Sequence, residues 1–198
     1  MRTIRYLAAL GFAPALAFAQ APAAAPAAAP ADAEQITAAV QALPTEYRAT
    51  AKVLGYHTGS KSLVTLREGT GFTCLANNPA NKDFHVACYH QSLEPFMARG
   101  RALRAQGVKD DQVDTVRFAE VKSGKLAMPK QPAALYQLFG GTFDPKTGIV
   151  TGAHPLFVVY ISGATAASTG ISEKPQEGAP WIMYPGTPKA HIMLAPKM

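Results

Sequence analysis

The chain has 198 residues, is 48% hydrophobic and carries 19 basic against 13 acidic side chains. This composition is typical of one globular domain accompanied by some low-complexity sequence. Its longest apolar run outside the N-terminus covers residues 156–161, far below the roughly 20 residues that a membrane-spanning helix needs. We therefore expect a soluble mature protein with no membrane span.

The N-terminus has the features of an export signal. Arg2 and Arg5 precede an apolar stretch over residues 7–18, and small residues at Ala17 and Ala19 suit a signal peptidase. We predict a signal peptide over residues 1–19 that is cleaved after Ala19. The mature protein is therefore expected to be secreted or periplasmic.

An Ala/Pro-rich segment follows the cleavage site. Prolines interrupt residues 20–33 at regular spacing, which predicts an extended linker and leaves residues 34–198 as a single folded domain. A basic cluster over residues 99–109 has no interleaved aromatic residues, so we interpret it as a solvated helix face. No nucleic-acid partner is predicted.

The first half of the domain begins with a helix and continues with short strands. Ile36, Val40 and Leu43 share the apolar face of a helix over residues 34–43, for which Asp32 is the expected cap. Strands are predicted over residues 49–56, 62–67 and 72–75, as a meander or two successive hairpins.

The second half predicts two helices and a further group of strands. A helix over residues 92–106 is capped by Ser92 and ended by Gly107. Residues 111–122 predict a second helix from a partial apolar stripe, with a strand as the alternative. Further strands are expected over residues 134–139, 156–161, 181–184 and 191–194, with a short helix as the alternative for residues 134–139. The strand over residues 156–161 is expected to be fully buried, and the last two strands are expected to form a hairpin. The predicted class is α+β, a mainly antiparallel sheet with two or three helices packed on one side.

Two segments carry a family resemblance. Residues 66–75 (LREGTGFTCL) and residues 180–193 (PWIMYPGTPKAHIM) resemble paired segments of a family of uncharacterised secreted bacterial proteins. In that pattern a tryptophan is usual at the position of Phe72, and a second cysteine follows, here Cys88. The resemblance implies shared architecture but no activity and no site residues.

Cys74 and Cys88 are the only cysteines, and they lie 14 positions apart. An even number of cysteines in an exported protein predicts a disulfide. The alternative is that Cys74 acts as a nucleophile beside a histidine. No recognised signature around it supports that chemistry.

Two groups of residues raise the question of a metal site. His85 and His90 lie five positions apart, which places them on opposite faces of a strand. Met183, His191, Met193 and Met198 contain thioether and imidazole donors suited to copper(I), but the methionines fit equally as apolar strand residues. We assign no metal ligands and no cofactor from the sequence.

The C-terminal hairpin is the predicted ligand-binding segment. It combines an aromatic surface, a hydroxyl group and an imidazole around a turn with two prolines, and Ser168 lies in a preceding loop rich in glycine and hydroxyl groups. The candidate site residues are Trp181, Tyr184, Thr187, His191 and Ser168.

Three functional hypotheses follow. The first is a secreted, disulfide-stabilised module that binds a small ligand or a partner protein, because no complete catalytic signature is present. The second is a hydrolase or transferase that uses His191 or His154 with Ser168 or Cys74. The third is a periplasmic protein that handles copper or zinc. Whether the protein is an enzyme is left open by the sequence, which favours binding.

Overall fold

The computed structural model describes residues 29–60, 62–176 and 178–196. The predicted signal peptide, most of the linker and Met198 lie outside the described residues. Within them no helix is long and apolar enough to cross a membrane.

The described chain forms ten strands and five α-helices. The strands are β1 (Lys52–Gly55), β2 (Val64–Arg67), β3 (Phe72–Leu75), β4 (His85–His90), β5 (Ala133–Phe139), β6 (Thr142–Asp144), β7 (Ile149–Thr151), β8 (His154–Tyr160), β9 (Trp181–Met183) and β10 (His191–Leu194). The helices are α1 (Asp32–Ala39), α2 (Thr45–Arg48), α3 (Glu94–Ala105), α4 (Asp110–Lys122) and α5 (Ala166–Thr169), with 3₁₀ turns at Val40–Ala42 and Gln91–Leu93.

Eight of the strands form one sheet in the order β2-β1-β3-β4-β5-β8-β10-β9, and β6 and β7 form a separate hairpin. The large sheet is antiparallel except between β1 and β3, which run parallel. The α+β prediction is therefore confirmed. The hairpin of β9 and β10 lies at one edge of the sheet, as far as possible from β2.

The predicted antiparallel pairing of β1 with β2 is confirmed. The prediction that the third strand pairs with the second, in a meander or a second hairpin, is wrong, because β3 pairs with β1. The chain leaves β2 and crosses back over the start of β1 at Gly69. A Cβ atom there would collide with the backbone of Thr50 and Ala51, so only glycine permits this close approach. A hydrogen bond of 2.8 Å from Thr70 N to Thr50 O holds the crossing in place.

Helices cover both faces of the sheet, which corrects the prediction that they lie on one side. On β4, Cys88 packs in an apolar cluster with α1 and the first 3₁₀ turn, and we call this side the α1 face. Its neighbour Tyr89 packs in another cluster with Leu93 and Met97, and we call that side the α3 face. Successive residues of a strand point to opposite faces, so the two clusters lie on either side of the sheet.

The prediction that the strand over residues 156–161 is fully buried is wrong. In β8 only Val158 and Tyr160 are buried, whereas Phe157 and Val159 are 38% and 36% exposed on the α1 face. The buried pair faces the cluster that contains Leu93, while the α1 cluster centres on β1, β3 and β4.

The predicted helix starts are shifted. Ala31, not Asp32, is the N-cap of α1, and it provides no side-chain cap. Ser92 lies within a 3₁₀ turn, where its amide donates to the imidazole of His90. The predicted end of α3 is confirmed, because Gly107 follows Gln106 with a φ of 83° in the left-handed region that favours glycine.

The predicted disulfide is confirmed between Cys74 and Cys88. The two residues are direct partners on β3 and β4, with Cα atoms 4.0 Å apart, and both are fully buried. The bond therefore joins two central strands of the sheet inside the α1 cluster. Because both sulfurs are bonded, the alternative of a Cys74 nucleophile is overturned.

Candidate ligand-binding site

The hairpin of β9 and β10 presents four side chains on the α3 face. His191 pairs with Met183, and Met193 pairs with Trp181. Across β8, His191 is opposite Tyr160, whose side chain belongs to the α3 cluster. All four side chains therefore lie on one surface at the edge of the sheet.

His191 is buried, with only 7% of its surface exposed. Its Nδ1 lies 2.7 Å from the carbonyl oxygen of Lys189. Since a carbonyl only accepts hydrogen bonds, Nδ1 carries the proton and the neutral ring has its lone pair on Nε2. The ring centroid lies 4.9 Å from that of Tyr160 and 5.6 Å from that of Tyr184.

The surroundings of His191 favour its neutral form. Burial lowers the pKa of the imidazole and the nearby charge of Lys189 lowers it further, while the hydrogen bond to the Lys189 carbonyl opposes them. Burial is the largest of the three effects, so the pKa lies below its ordinary value. The ring is therefore neutral at neutral pH.

Tyr184 is held in an unusual backbone conformation. Its φ is 51°, a left-handed value that residues other than glycine rarely adopt, and it precedes Pro185. The Oγ1 of Thr187 donates a hydrogen bond of 2.8 Å to the Tyr184 carbonyl and so closes the turn. The side chain of Tyr184 remains 43% exposed beside His191. Such strained positions persist only where surrounding contacts impose them, and they are enriched at functional sites.

Tyr160, Tyr184, Lys189 and His191 lie together at one corner of the sheet, and helix α4 adds charged groups to this corner. Lys189 Nζ lies 4.2 Å from the centre of the Tyr184 ring and donates to Asp114 Oδ2 at 2.8 Å. Asp114 also accepts a hydrogen bond from Arg117. Burial raises the pKa of Asp114, but the hydrogen bonds from Lys189 and Arg117 outweigh it, so the pKa lies below its ordinary value. Two cations therefore share one carboxylate, which leaves one positive charge in excess.

Arg117 lies beneath this corner. Its side chain is 5% exposed, its Nη1 donates to the Phe96 carbonyl at 3.1 Å, and its guanidinium carbon lies 3.9 Å from the centre of the Phe96 ring. Among the described residues, its Nε is the one buried side-chain polar atom without a hydrogen-bond partner. Burial raises the pKa of Tyr160 to about 12, although the charge of Arg117 lowers it. Tyr160 is therefore a neutral phenol at neutral pH.

The structure unites most of the predicted site residues. Tyr184, Thr187 and His191 meet at the turn, and Trp181 lies on the same face one pair further along the hairpin. Ser168 does not join them. Its hydroxyl accepts from Thr165 N at 2.9 Å and forms the capping box of α5.

The loop before α5 supports the turn instead of lining the site. Gly163 N donates to Thr187 O at 2.9 Å, and Gly186 N donates to Ala164 O at 2.8 Å. These two backbone hydrogen bonds clamp the turn that carries Tyr184. The loop's glycine and hydroxyl content, predicted as a sign of ligand binding, thus belongs to local structure.

The residues of the catalytic alternative do not converge. His154 is the first residue of β8 and is paired with Phe139, while Tyr160 at the other end of the same strand is the partner of His191. The hydroxyl of Ser168 is engaged in its helix cap. No arrangement of nucleophile and base is formed by these residues.

The first metal candidate is not formed as a site. His85 and His90 lie on β4 at the odd spacing that places them on opposite faces. Within residues 29–60, 62–176 and 178–196, no three His, Cys, Asp or Glu side chains are grouped as metal ligands. Methionine is not one of these four residue types, and the Met/His set of the hairpin is a separate group of donors.

Four residues of the corner were missed from the sequence. These are Asp114, Arg117, Tyr160 and Lys189. The three-residue spacing of Asp114 and Arg117 on a predicted helix was the available signal, because such residues share one helix face. No local pattern connects them to a hairpin about 75 residues later.

Three clefts of the described surface lie elsewhere. One of about 590 Å³ is lined by residues that include His85 and Phe139. A second, of about 530 Å³, lies between the first hairpin and α3, where it is lined by Tyr56, Leu63, Arg101 and Arg104. Another, of about 350 Å³, lies beside α1 and includes Gln35 and Phe143. Tyr160, Tyr184, Lys189 and His191 line none of these three clefts. Comparison with known protein families, characterised proteins and solved structures gave no match, and the resemblance to secreted bacterial proteins stays a prediction.

Proposed function

We propose that the protein is an exported binding module whose ligand site is the corner formed by Tyr160, Tyr184, Lys189 and His191. The observation that carries this proposal is the left-handed backbone of Tyr184, which presents an exposed aromatic ring beside an imidazole with a fixed tautomer. Three groups restrain Tyr184: the Thr187 hydroxyl, the loop before α5, and Lys189, which is itself held by Asp114. A restrained, partly exposed set of mixed polar and aromatic groups suits recognition of a small ligand.

Binding is favoured over catalysis by the state of the two nucleophiles considered. Cys74 is bonded to Cys88, and the Ser168 hydroxyl completes a helix cap. Export is supported by the signal-like N-terminus and by the disulfide, since disulfides persist in oxidising compartments. These features together favour a secreted or periplasmic module that recognises a ligand without transforming it.

Tryptophan fluorescence tests whether a ligand binds at the hairpin. Trp181 is the single tryptophan and lies on the same face of the hairpin as His191. The mature protein is titrated with a panel of metal ions, small carboxylates, amines and sugars while tryptophan emission is recorded. A compound that binds is then titrated into Tyr184→Ala. Tyr47→Ala is the matched control, because Tyr47 is exposed to a similar degree, 41%, on α2.

The proposal expects Tyr184→Ala to weaken binding at least about tenfold while Tyr47→Ala binds like the wild type. Equal affinities in the two variants would locate the ligand elsewhere and overturn the proposal. A panel in which nothing changes the emission would overturn it as well.

A further inference from the structure

Two thioethers, an imidazole and an indole occupy adjacent positions on one face of the C-terminal hairpin. Met183 and His191 form one cross-strand pair, and Trp181 and Met193 form the next. We propose that Met183, His191 and Met193 form a binding site for a soft monovalent metal ion, copper(I), with the indole of Trp181 against the bound ion. This inference rests on the proposed function, because it names the ligand of the same hairpin.

The strand register places the three donors within reach of one ion. Side chains of directly paired residues on antiparallel strands have Cβ atoms about 4.5–5.5 Å apart, and residues two apart on one strand share a face. His191 thus has Met183 as its pair and Met193 beside it on β10. Methionine has three rotatable bonds beyond Cα, so each sulfur can turn toward the space between these positions.

The donors are also accessible. Trp181, Met183 and Met193 are each half-buried, and β9 is the edge strand of the sheet. His191 is more enclosed, but its Nε2 makes no hydrogen bond within the described part of the chain. Among the described residues, Arg117 Nε is the one side-chain polar atom that is both buried from solvent and without a hydrogen-bond partner. Because His191 Nε2 also has no hydrogen-bond partner but is not such a buried atom, it is in contact with solvent.

The hydrogen bond of His191 Nδ1 leaves Nε2 ready to coordinate a metal ion. Nδ1 donates to the carbonyl of Lys189 at 2.7 Å, which leaves the lone pair on Nε2. Metal-bound histidines commonly donate their second N–H to a backbone carbonyl or carboxylate in this way, which orients the ring and raises its basicity. The ring is further fixed between Tyr160 and Tyr184.

The donor set selects the type of ion. Thioether sulfur is a soft, uncharged ligand that favours copper(I) over harder divalent ions. The excess positive charge of Lys189 and Arg117 over Asp114 opposes any cation nearby, and the Coulomb energy for a divalent ion is twice that for a monovalent one. The aromatic face of Trp181, opposite Met193, provides a cation–π contact that needs no negative charge.

The experiment uses two probes on the mature, oxidised protein. Silver(I), a redox-inert analogue, is titrated in chloride-free buffer while Trp181 emission is followed, and copper(I) is supplied anaerobically in competition with a coloured chelator. The test variants are Met183→Leu and Met193→Leu, which nearly conserve side-chain volume and so preserve the fold. Met97→Leu is the matched control, because Met97 packs on the same face from α3.

The wild type is expected to bind one equivalent of silver(I) or copper(I) with a change in Trp181 emission, whereas zinc(II) gives none. Each hairpin variant should lose about 10- to 100-fold in affinity, and Met97→Leu should bind like the wild type. No binding by the wild type, wild-type affinity in both hairpin variants, or an equal loss in Met97→Leu would overturn the inference. If another compound still binds through Tyr184, only the metal assignment fails and the proposed binding function stands.

Discussion

His191 is a buried titratable group whose environment resists protonation. Burial and the charge of Lys189 hold its pKa below the ordinary value of about 6.5, and the rings of Tyr160 and Tyr184 enclose it. The unfolded chain therefore binds a proton at a higher pH than the folded chain does. It follows from linkage that stability is complete above the unfolded pKa and is lost as the pH falls through the folded pKa.

We predict that the free energy of unfolding of the wild type falls between pH 7 and about pH 5, and that His191→Asn removes part of this slope. Asparagine keeps an N–H donor for the Lys189 carbonyl but does not titrate. Urea denaturation at a series of pH values measures the slope. Identical slopes in the two proteins would show that His191 protonates equally well folded and unfolded.

A second residue-scale prediction concerns the carboxylate shared by Lys189 and Arg117. Asp114→Ala leaves the buried side chain of Arg117, which is 5% exposed, without its anionic partner. Removing one partner of a buried ion pair costs about 3 kcal/mol or more, because the other charge stays buried. We expect a loss of about 3 kcal/mol in unfolding free energy, since Asp114 itself is partly exposed.

The matched control for Asp114 is Asp110→Ala. Asp110 pairs with Arg104 at 2.5 Å, but the side chains are 80% and 52% exposed. Exposed pairs contribute little because water screens them, so this variant should unfold like the wild type. Equal losses in Asp114→Ala and Asp110→Ala would contradict a role for burial.

At the scale of elements, the disulfide links β3 to β4 near the middle of the sheet. The bond closes a loop with a sequence separation of 14 residues. A loop of this length restricts the unfolded chain enough to contribute about 3 kcal/mol. We predict that Cys74→Ala/Cys88→Ala lowers the unfolding free energy by about this amount, as measured by urea denaturation beside the wild type with and without reductant.

A thiol titration under denaturing, non-reducing conditions checks the same bond without any substitution. The wild type should show no reactive thiol, because both cysteines are bonded. Two thiols per chain would contradict the disulfide. Wild-type stability in the double variant would instead show that the bond forms without contributing to the fold.

Elements that depend on local pattern could be predicted, and those that depend on pairing over distance could not. The period of two groups Trp181 with Met183 on β9 and His191 with Met193 on β10. The register that sets these two pairs opposite each other comes from the structure. The glycines at 69 and 71 indicated a turn but not the side of β1 on which the chain returns. That choice depends on the close approach of Gly69 to the backbone near Thr50, which becomes visible only in three dimensions.

The same division holds within the candidate site. Tyr184, Thr187 and His191 are near in sequence, so the turn alone brings them together. Asp114 reaches Lys189 only because α4 packs on the α3 face beneath the hairpin. The exposure of Phe157 likewise depends on how far the first helix and its 3₁₀ turn extend across the sheet, which no pattern within β8 encodes.

For the molecule as a whole, the first helix and the C-terminal hairpin lie at distant parts of one sheet. The first helix covers the central strands β3 and β4 on one face, whereas the C-terminal hairpin forms the far edge. The disulfide stabilises the first region, and the contacts of α4 with Lys189 join the second to the other face. A ligand at the hairpin would therefore bind where few elements overlap, at an edge that reaches solvent.

The last prediction concerns export of the whole chain. Residues 7–18 form an apolar stretch behind Arg2 and Arg5, and Ala17 and Ala19 suit a signal peptidase, so the mature protein should begin at Gln20. N-terminal sequencing of protein recovered from outside the cytoplasm measures this directly. Ala19→Leu should block cleavage, because the enzyme requires a small residue before the cut, whereas Ala15→Leu within the apolar stretch should be processed normally. Protein that retains Met1, stays in the cytoplasm and exposes two reactive thiols would contradict both the export signal and the oxidising compartment that the Cys74–Cys88 bond requires.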